Sequence, residues 1–257
     1  MASGSTRAML RRSASGDEAL PHRLRDDVRA AARAELRLEV ADDRLDRPLR
    51  VGELCRDRLR RLPCRKQTQD FEPALVQPAG RALARLHAGP PFPARFDSFR
   101  VVEVYRATAL ERGVAVPAAY ERAREVADAI ERRRAGVAPR PCHNDLLNAN
   151  FIDDGRRSWI VDWEYAGMGD PFFDLGNFAV NHELDEEGER RLLRAYGSDD
   201  AAALTLMRFM SDFREAMWGV VQQAISELGF DFADYAARHF DRLERTAAEP
   251  RFRAALH

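Results

Sequence analysis

Hydrophobic positions along this 257-residue chain fall into two regimes that meet near residue 80. Beyond it, apolar residues recur every three or four positions, the spacing that gathers them on one face of a helix. Residues 81–86 begin the pattern and Gly89-Pro90-Pro91 stops it, because proline has no N–H to give a helix and clashes with the preceding turn. Helices are expected over 101–112 and 117–134. They resume over 171–181, where Pro171 suits a first turn, and over 186–196, 201–228 and 231–247. Between these groups, residues 149–152 and 159–163 are short apolar runs on either side of Asp153-Asp154-Gly155, and they predict a small hairpin. No internal repeat is visible.

Before residue 80 the pattern weakens. Residues 26–40 could form a helix, and residues 55–69 are a basic polar run of the kind that makes a solvated face or loop. Phe71 is the one aromatic residue in this stretch, so the segment has little large apolar surface to bring to a core. Residues 1–80 carry a net charge of +4 and residues 81–257 one of −5. The whole chain is therefore near neutral, without the basic surface that nucleic acid requires.

Composition narrows the class further. Hydrophobic residues make up 45% and charged residues 32%, which excludes a disordered chain and a membrane bundle. The first 20 residues hold Arg7, Arg11, Arg12, Asp17 and Glu18, which leaves no apolar stretch of signal-peptide length. A cytoplasmic protein without membrane insertion is expected. Cys55, Cys64 and Cys142 are odd in number and include no Cys-x-x-Cys pair, against both a disulfide framework and a zinc knuckle. Lys66 is the only lysine, so a mechanism that needs one has a single candidate.

Chemistry concentrates in Pro141-Cys142-His143-Asn144-Asp145-Leu146-Leu147-Asn148-Ala149-Asn150 and, after the hairpin, in Ile160-Val161-Asp162-Trp163-Glu164-Tyr165. Phosphoryl transfer needs few protein groups: one carboxylate to meet the acceptor hydroxyl, and hard oxygen ligands for magnesium on the ATP phosphates. Asp145 suits the first task, and Asn150 and Asp162 the second. Three other motifs fail on their own terms. Gly167-Met168-Gly169 lacks the third glycine of a dinucleotide loop, His182-Glu183 lacks the second histidine of a zinc protease, and Cys142 is only a chain neighbour of His143. The acidic run Glu183, Asp185, Glu186, Glu187 reads as a solvated helix start before it reads as a steering patch for cations.

His143-Asn144-Asp145-Leu146-Leu147-Asn148-Ala149-Asn150 with Val161-Asp162-Trp163-Glu164-Tyr165 resembles the catalytic and metal-binding segments of the choline/ethanolamine kinase family, relatives of the aminoglycoside phosphotransferases. The likeness continues through Asp170-Pro171-Phe172-Phe173-Asp174 and Trp218-Gly219-Val220-Val221-Gln222-Gln223 and covers roughly residues 80–247. It implies an α+β, protein-kinase-like fold with a mainly helical C-terminal lobe over 80–257. It implies ATP and Mg2+ as cofactors, and a choline, ethanolamine or similar amino alcohol as acceptor. Under it Asp145 is the catalytic base or the carboxylate that orients the hydroxyl, Asn150 and Asp162 hold the metal, and Glu164 lies just behind them. His143, Asn144 and Asp174 support the catalytic loop, the last by accepting hydrogen bonds from its backbone. Trp218, Tyr165 and Trp163 are the candidates for binding a small cationic alcohol.

The same family likeness implies an N-terminal lobe with a glycine-rich phosphate loop, and residues 1–79 do not display one: their glycines are only Gly4, Gly16 and Gly52. This segment is expected to be a divergent, replaced or truncated lobe, with a shifted reading frame favoured by its composition. Two rival readings follow. One is a non-catalytic remnant of a kinase lobe that binds a ligand or partner, oligomeric if the face normally covered is exposed; the other is a kinase for an aminoglycoside or thiamine.

Overall fold

The computed structural model describes residues 75–153 and 158–257, and the side chains of these outside 152–159. The expectations for residues 26–40 and 55–69 lie outside it. The order of elements is α1 (Val76–His87), α2 (Ser98–Glu111), α3 (Ala119–Arg133), β1 (Arg140–Cys142), β2 (Phe151–Asp153), β3 (Ser158–Ile160), β4 (Gly167–Gly169), α4 (Pro171–Asn181), α5 (Glu186–Tyr196), α6 (Ala201–Ile225), α7 (Phe232–Ala248) and α8 (Pro250–Leu256). The architecture is α+β and dominated by helices, as expected.

Helix starts follow aspartate. Asp97, Asp170, Asp185, Asp200 and Asp231 each accept backbone N–H groups from the first turn that follows, which pairs donors that a helix leaves unsatisfied. Pro171 takes the first position of α4, where no N–H is needed, and Gly197 closes α5 in the left-handed region with φ 90°. These signals explain why α4 and α5 occupy the spans their sequence predicts. Helix α2 begins at Ser98, earlier than its apolar spacing suggests, because Asp97 caps it. Helix α6 ends at Ile225, short of residue 228.

Helix α6 is the axis of the lobe, a rod of about 37 Å at the usual rise per residue. Helices α2, α4, α7 and α8 pack around it. Phe209, Phe213, Met210, Met217 and Val220 of α6 join Tyr120 of α3, Phe240 of α7 and Phe252 of α8 in one buried core. A second core sets Leu83 and Leu86 of α1 against Phe178 of α4 and Leu192 of α5. The crossing of α4 on α6 is close: a methyl group on Gly176 would lie 2.6 Å from the Met207 carbonyl carbon. That contact fixes the height at which α4 presents its polar residues to the loop above.

Two antiparallel strand pairs sit over the helices. The β2–β3 hairpin pairs Phe151 with Ile160, as its sequence predicts, although its strands are shorter than the apolar runs and residues Asn148–Asn150 form a 3-10 turn instead of extending it. The β1–β4 pair is absent from the sequence-based expectation. It matches Pro141 with Met168, and the backbone of Met168 also exchanges hydrogen bonds with Ala94 and Phe96 on its other side. Three stretches of backbone thus meet at Gly167, where a Cβ would lie 3.0 Å from the Phe96 nitrogen. Close packing accounts for Gly167-Met168-Gly169 without a nucleotide. No helix among the described residues is long and apolar enough to cross a membrane.

Candidate active site

The loop between β1 and the 3-10 turn carries His143, Asn144 and Asp145, and it is tied down from beneath by α4. The fully buried carboxylate of Asp174 accepts the backbone N–H of His143 at 2.8 Å and that of Asn144 at 2.7 Å. Asn177, one helical turn on, accepts the N–H of Leu146 at 2.5 Å and donates to Ser211 of α6 at 3.0 Å. Asn144 has φ 66°, a left-handed conformation that asparagine tolerates better than most residues, and its amide donates to the Tyr165 carbonyl at 3.0 Å. The turn at Asn144 aims the next side chain, Asp145, away from α4.

His143 is buried within this frame. Its Nδ1 accepts the Asp145 N–H at 3.2 Å, which assigns the proton to Nε2, and Nε2 donates to the Val161 carbonyl at 3.1 Å. Burial holds the imidazole below its usual pKa, so a neutral ring bridges the loop and the strand end. Trp163 stands edge-on to that ring with centroids 4.5 Å apart and donates its indole N–H to the Ile160 carbonyl.

Asp145 is 8% exposed and Asn150 7%, and the two touch. The Asn150 amide nitrogen donates to the main-chain oxygen of Asp145 at 2.7 Å and to its Oδ2 at 3.2 Å. Val161 donates its N–H to the Asn150 carbonyl at 3.0 Å, so the hairpin brings the next residue, Asp162, beside this pair. Asp162 has φ 65° and an exposed side chain. Although the side chain is exposed, its carboxyl is raised above the usual aspartate range, first by a partial loss of water on the side that faces the protein and then by the negative Asp145, against the lowering influence of His143 and a hydrogen bond from the Glu164 backbone. The exposed Glu164 side chain follows directly.

These groups fit a hard divalent cation. The nitrogen of Asn150 is committed to Asp145, which leaves its amide oxygen as a ligand, and the Asp162 carboxylate is open and repelled by its neighbour. Asn150 and Asp162 would hold such an ion.

A set of residues not anticipated from the sequence lies behind Asp145. Arg214 of α6, 2% exposed, places Nη1 3.0 Å from Asp145 Oδ1 and 2.5 Å from Glu215 Oε1. Its guanidinium carbon lies 4.7 Å from the centre of the Tyr165 ring. Glu215 accepts the hydroxyl of Tyr235 at 2.8 Å. The nearby carboxylates hold Arg214 well above the ordinary arginine range although burial opposes them. Tyr165 is raised well above the phenol range, foremost by burial. Trp218, half-buried on α6, contacts Phe232 and Tyr235 edge-on. The structure thus brings Tyr165 to the Asp145 cluster, whereas Trp163 packs on His143 and Trp218 on the α7 aromatics.

His87 of α1 was also not anticipated. It links the Tyr196 hydroxyl at 2.8 Å to Asp174 Oδ2 at 3.0 Å. His87, Cys142 and Asp174 bring three donor atoms within 4.8 Å, yet Asp174 is committed to His87 and the loop, and Cys142 donates to the Arg140 carbonyl. Burial pushes the Cys142 thiol well up, away from nucleophilic use. The acidic residues Asp185, Glu186 and Glu187 form the capped start of α5, with Glu186 and Glu187 paired to Arg190.

The chain matches the phosphotransferase enzyme family model over residues 36–210. It is 31% identical over 116 residues to Protein LicA of Haemophilus influenzae, covering 41% of this chain and 42% of that protein. It is 32% identical over 126 residues to ethanolamine kinase 2 of Rattus norvegicus, covering 39% of this chain and 33% of that one. The chain spans less than half the length of these curated relatives. Among solved structures, a choline/ethanolamine kinase family protein from Mesorhizobium loti superposes with a TM-score of 0.65 at 32% identity, over 73% of this chain and 68% of that chain. The choline kinase LicA from Streptococcus pneumoniae gives 0.59 at 25% identity, over 70% and 66%.

Proposed function

We propose, from the premise that this chain belongs to the phosphotransferase enzyme family, that it transfers the γ-phosphoryl group of ATP to the hydroxyl of a small amino alcohol such as choline or ethanolamine. The observation that carries the reading is the convergence of Asp145, Asn150 and Asp162, three oxygen-bearing side chains, on one edge of the hairpin. The likeness to ethanolamine kinase 2 and to choline kinase LicA supports the choice of acceptor.

In this reading Asp145 accepts the hydrogen bond of the acceptor hydroxyl and turns the oxygen toward the γ-phosphorus. The new P–O bond forms as the β,γ-bridging bond breaks, and the proton leaves through Asp145. Magnesium, when bound, neutralises charge on the phosphates. Asn150 and Asp162 hold its place, while Asp174 and Asn177 keep the loop from drifting and Asn144 sets its turn. His143 stays neutral and bridges backbone groups, so it moves no proton. Residues 80–257 constitute the kinase-like lobe, and the site of action is the cytoplasm.

Transfer of label from γ-labelled ATP with Mg2+ to a panel of choline, ethanolamine, thiamine and an aminoglycoside tests the reading. Labelled phospho-amino alcohol supports it. Labelled aminoglycoside or thiamine replaces the acceptor, and well-folded protein that labels nothing makes the lobe a non-catalytic binding module.

A further inference from the structure

Three kinds of group converge on the guanidinium of Arg214: the carboxylate of Asp145 at 3.0 Å, the carboxylate of Glu215 at 2.5 Å, and the face of Tyr165 at 4.7 Å. Carboxylates and an aromatic face in one buried place form a seat for a cation. The chain fills that seat itself, with a residue 2% exposed and a flat head group suited to stacking. Glu215 is in turn held by the Tyr235 hydroxyl at 2.8 Å, so the seated guanidinium is fixed from its far side.

The other rings near the loop also carry contacts. Trp218 meets Phe232 and Tyr235 at centroid distances of 5.7 and 5.6 Å, and Trp163 meets His143 at 4.5 Å. A quaternary ammonium donates no hydrogen bond and is recognised through aromatic faces. The Tyr165 face beside Asp145 is covered by Arg214 and is closed to a second cation. A head group that keeps N–H bonds has another means of recognition, since it can donate to carboxylate and carbonyl oxygens without an aromatic face.

We propose that Arg214 is a specificity-determining residue: by occupying the cation seat beside Asp145, it selects against alcohols bearing a quaternary ammonium and in favour of those whose amine retains N–H groups. The inference rests on the reading of Asp145 as the group that meets the acceptor hydroxyl. Glu215 and Tyr235 act through Arg214, by holding it in place.

The test compares transfer from Mg-ATP to ethanolamine and to choline by the full chain, and measures tetramethylammonium binding by calorimetry on the same preparations. Arg214→Met combined with Glu215→Gln removes the charges of that pair and leaves Asp145 held by the Asn150 amide, while Arg214→Lys keeps a charge but withdraws the planar head from Tyr165. Wild type is expected to favour ethanolamine by about tenfold or more in kcat/KM, and the double variant to narrow that ratio by about tenfold through a lower KM for choline. Tetramethylammonium should bind the double variant more tightly than wild type. Wild type that uses choline as well as ethanolamine, or a ratio unmoved in both variants, overturns the role of Arg214. No transfer to any alcohol defeats the phosphotransferase reading instead. Calorimetry then still decides the role of Arg214, because equal tetramethylammonium binding by wild type and the folded variants overturns it. If the double variant does not fold, Arg214→Lys carries the comparison.

Discussion

Asn150 donates its side-chain amide twice to Asp145, to the main-chain oxygen at 2.7 Å and to the carboxylate at 3.2 Å. One residue thus orients the proposed base and, through its remaining amide oxygen, would offer a ligand to a divalent ion. Asn150→Ala removes both functions. Activity should fall by about 100-fold or more, and half-maximal activity should need more Mg2+. An alanine variant with an unchanged magnesium titration removes Asn150 from the metal site.

Asp174 anchors the loop from a position without solvent, accepting two backbone N–H groups and the ring of His87. Asp174→Ala leaves buried donors unpaired, and stability should drop by about 2–5 kcal/mol. Urea denaturation measures this, and a loss within error of zero contradicts the anchoring role.

Acid should weaken the fold through its buried histidines. Burial lowers His182 from 6.5 to about 4, with Nδ1–H donating to the Phe178 carbonyl at 3.0 Å, and it lowers His143 in the same direction. The unfolded chain binds a proton below pH 6.5 that the folded chain refuses, so this stability is complete above 6.5 and lost as pH falls toward about 4. Between pH 7 and pH 5 the His182 contribution is about 2 kcal/mol. His182→Gln should lose that much less than wild type over the same interval in urea unfolding. Parallel losses in the two proteins would show that His182 does not titrate as its burial requires.

Glu183 follows α4 with φ 49°, and Leu184 donates its N–H back to the Ala179 carbonyl at 2.9 Å, the pattern of a helix closed by a left-handed residue. Glycine adopts that conformation without the Cβ penalty. Glu183→Gly should raise stability by about 0.5–1 kcal/mol, read as a higher Tm. A lower Tm contradicts it.

The legible parts of this molecule were those whose determinants are local. Asp170-Pro171 and Asp185 through Gly197 carry their own caps and stops, so α4 and α5 could be bounded from spacing alone. His143, Asp145 and Asn150 lie within one loop, and their spacing already suggested their chemistry. The β1–β4 pair could not be read because each strand has three residues and a partner 25 or more positions away, and because Pro141 and two glycines argue against strands in isolation. Arg214, Glu215 and His87 were missed for another reason. An arginine or glutamate in a helix ordinarily reads as part of a solvated face, and only the packing of α6 and α1 shows that these point inward. Helix α8 followed Pro250 too closely on α7 to be separated from a frayed end.

The central claim is that Asp145 directs an acceptor hydroxyl to ATP. Its most direct test is transfer of the γ-phosphoryl group to ethanolamine by wild type and by Asp145→Asn, with ATP binding measured alongside. The account predicts transfer by wild type and a fall of about 1,000-fold in the variant, with ATP bound equally by both. A variant that transfers at the wild-type rate would contradict it.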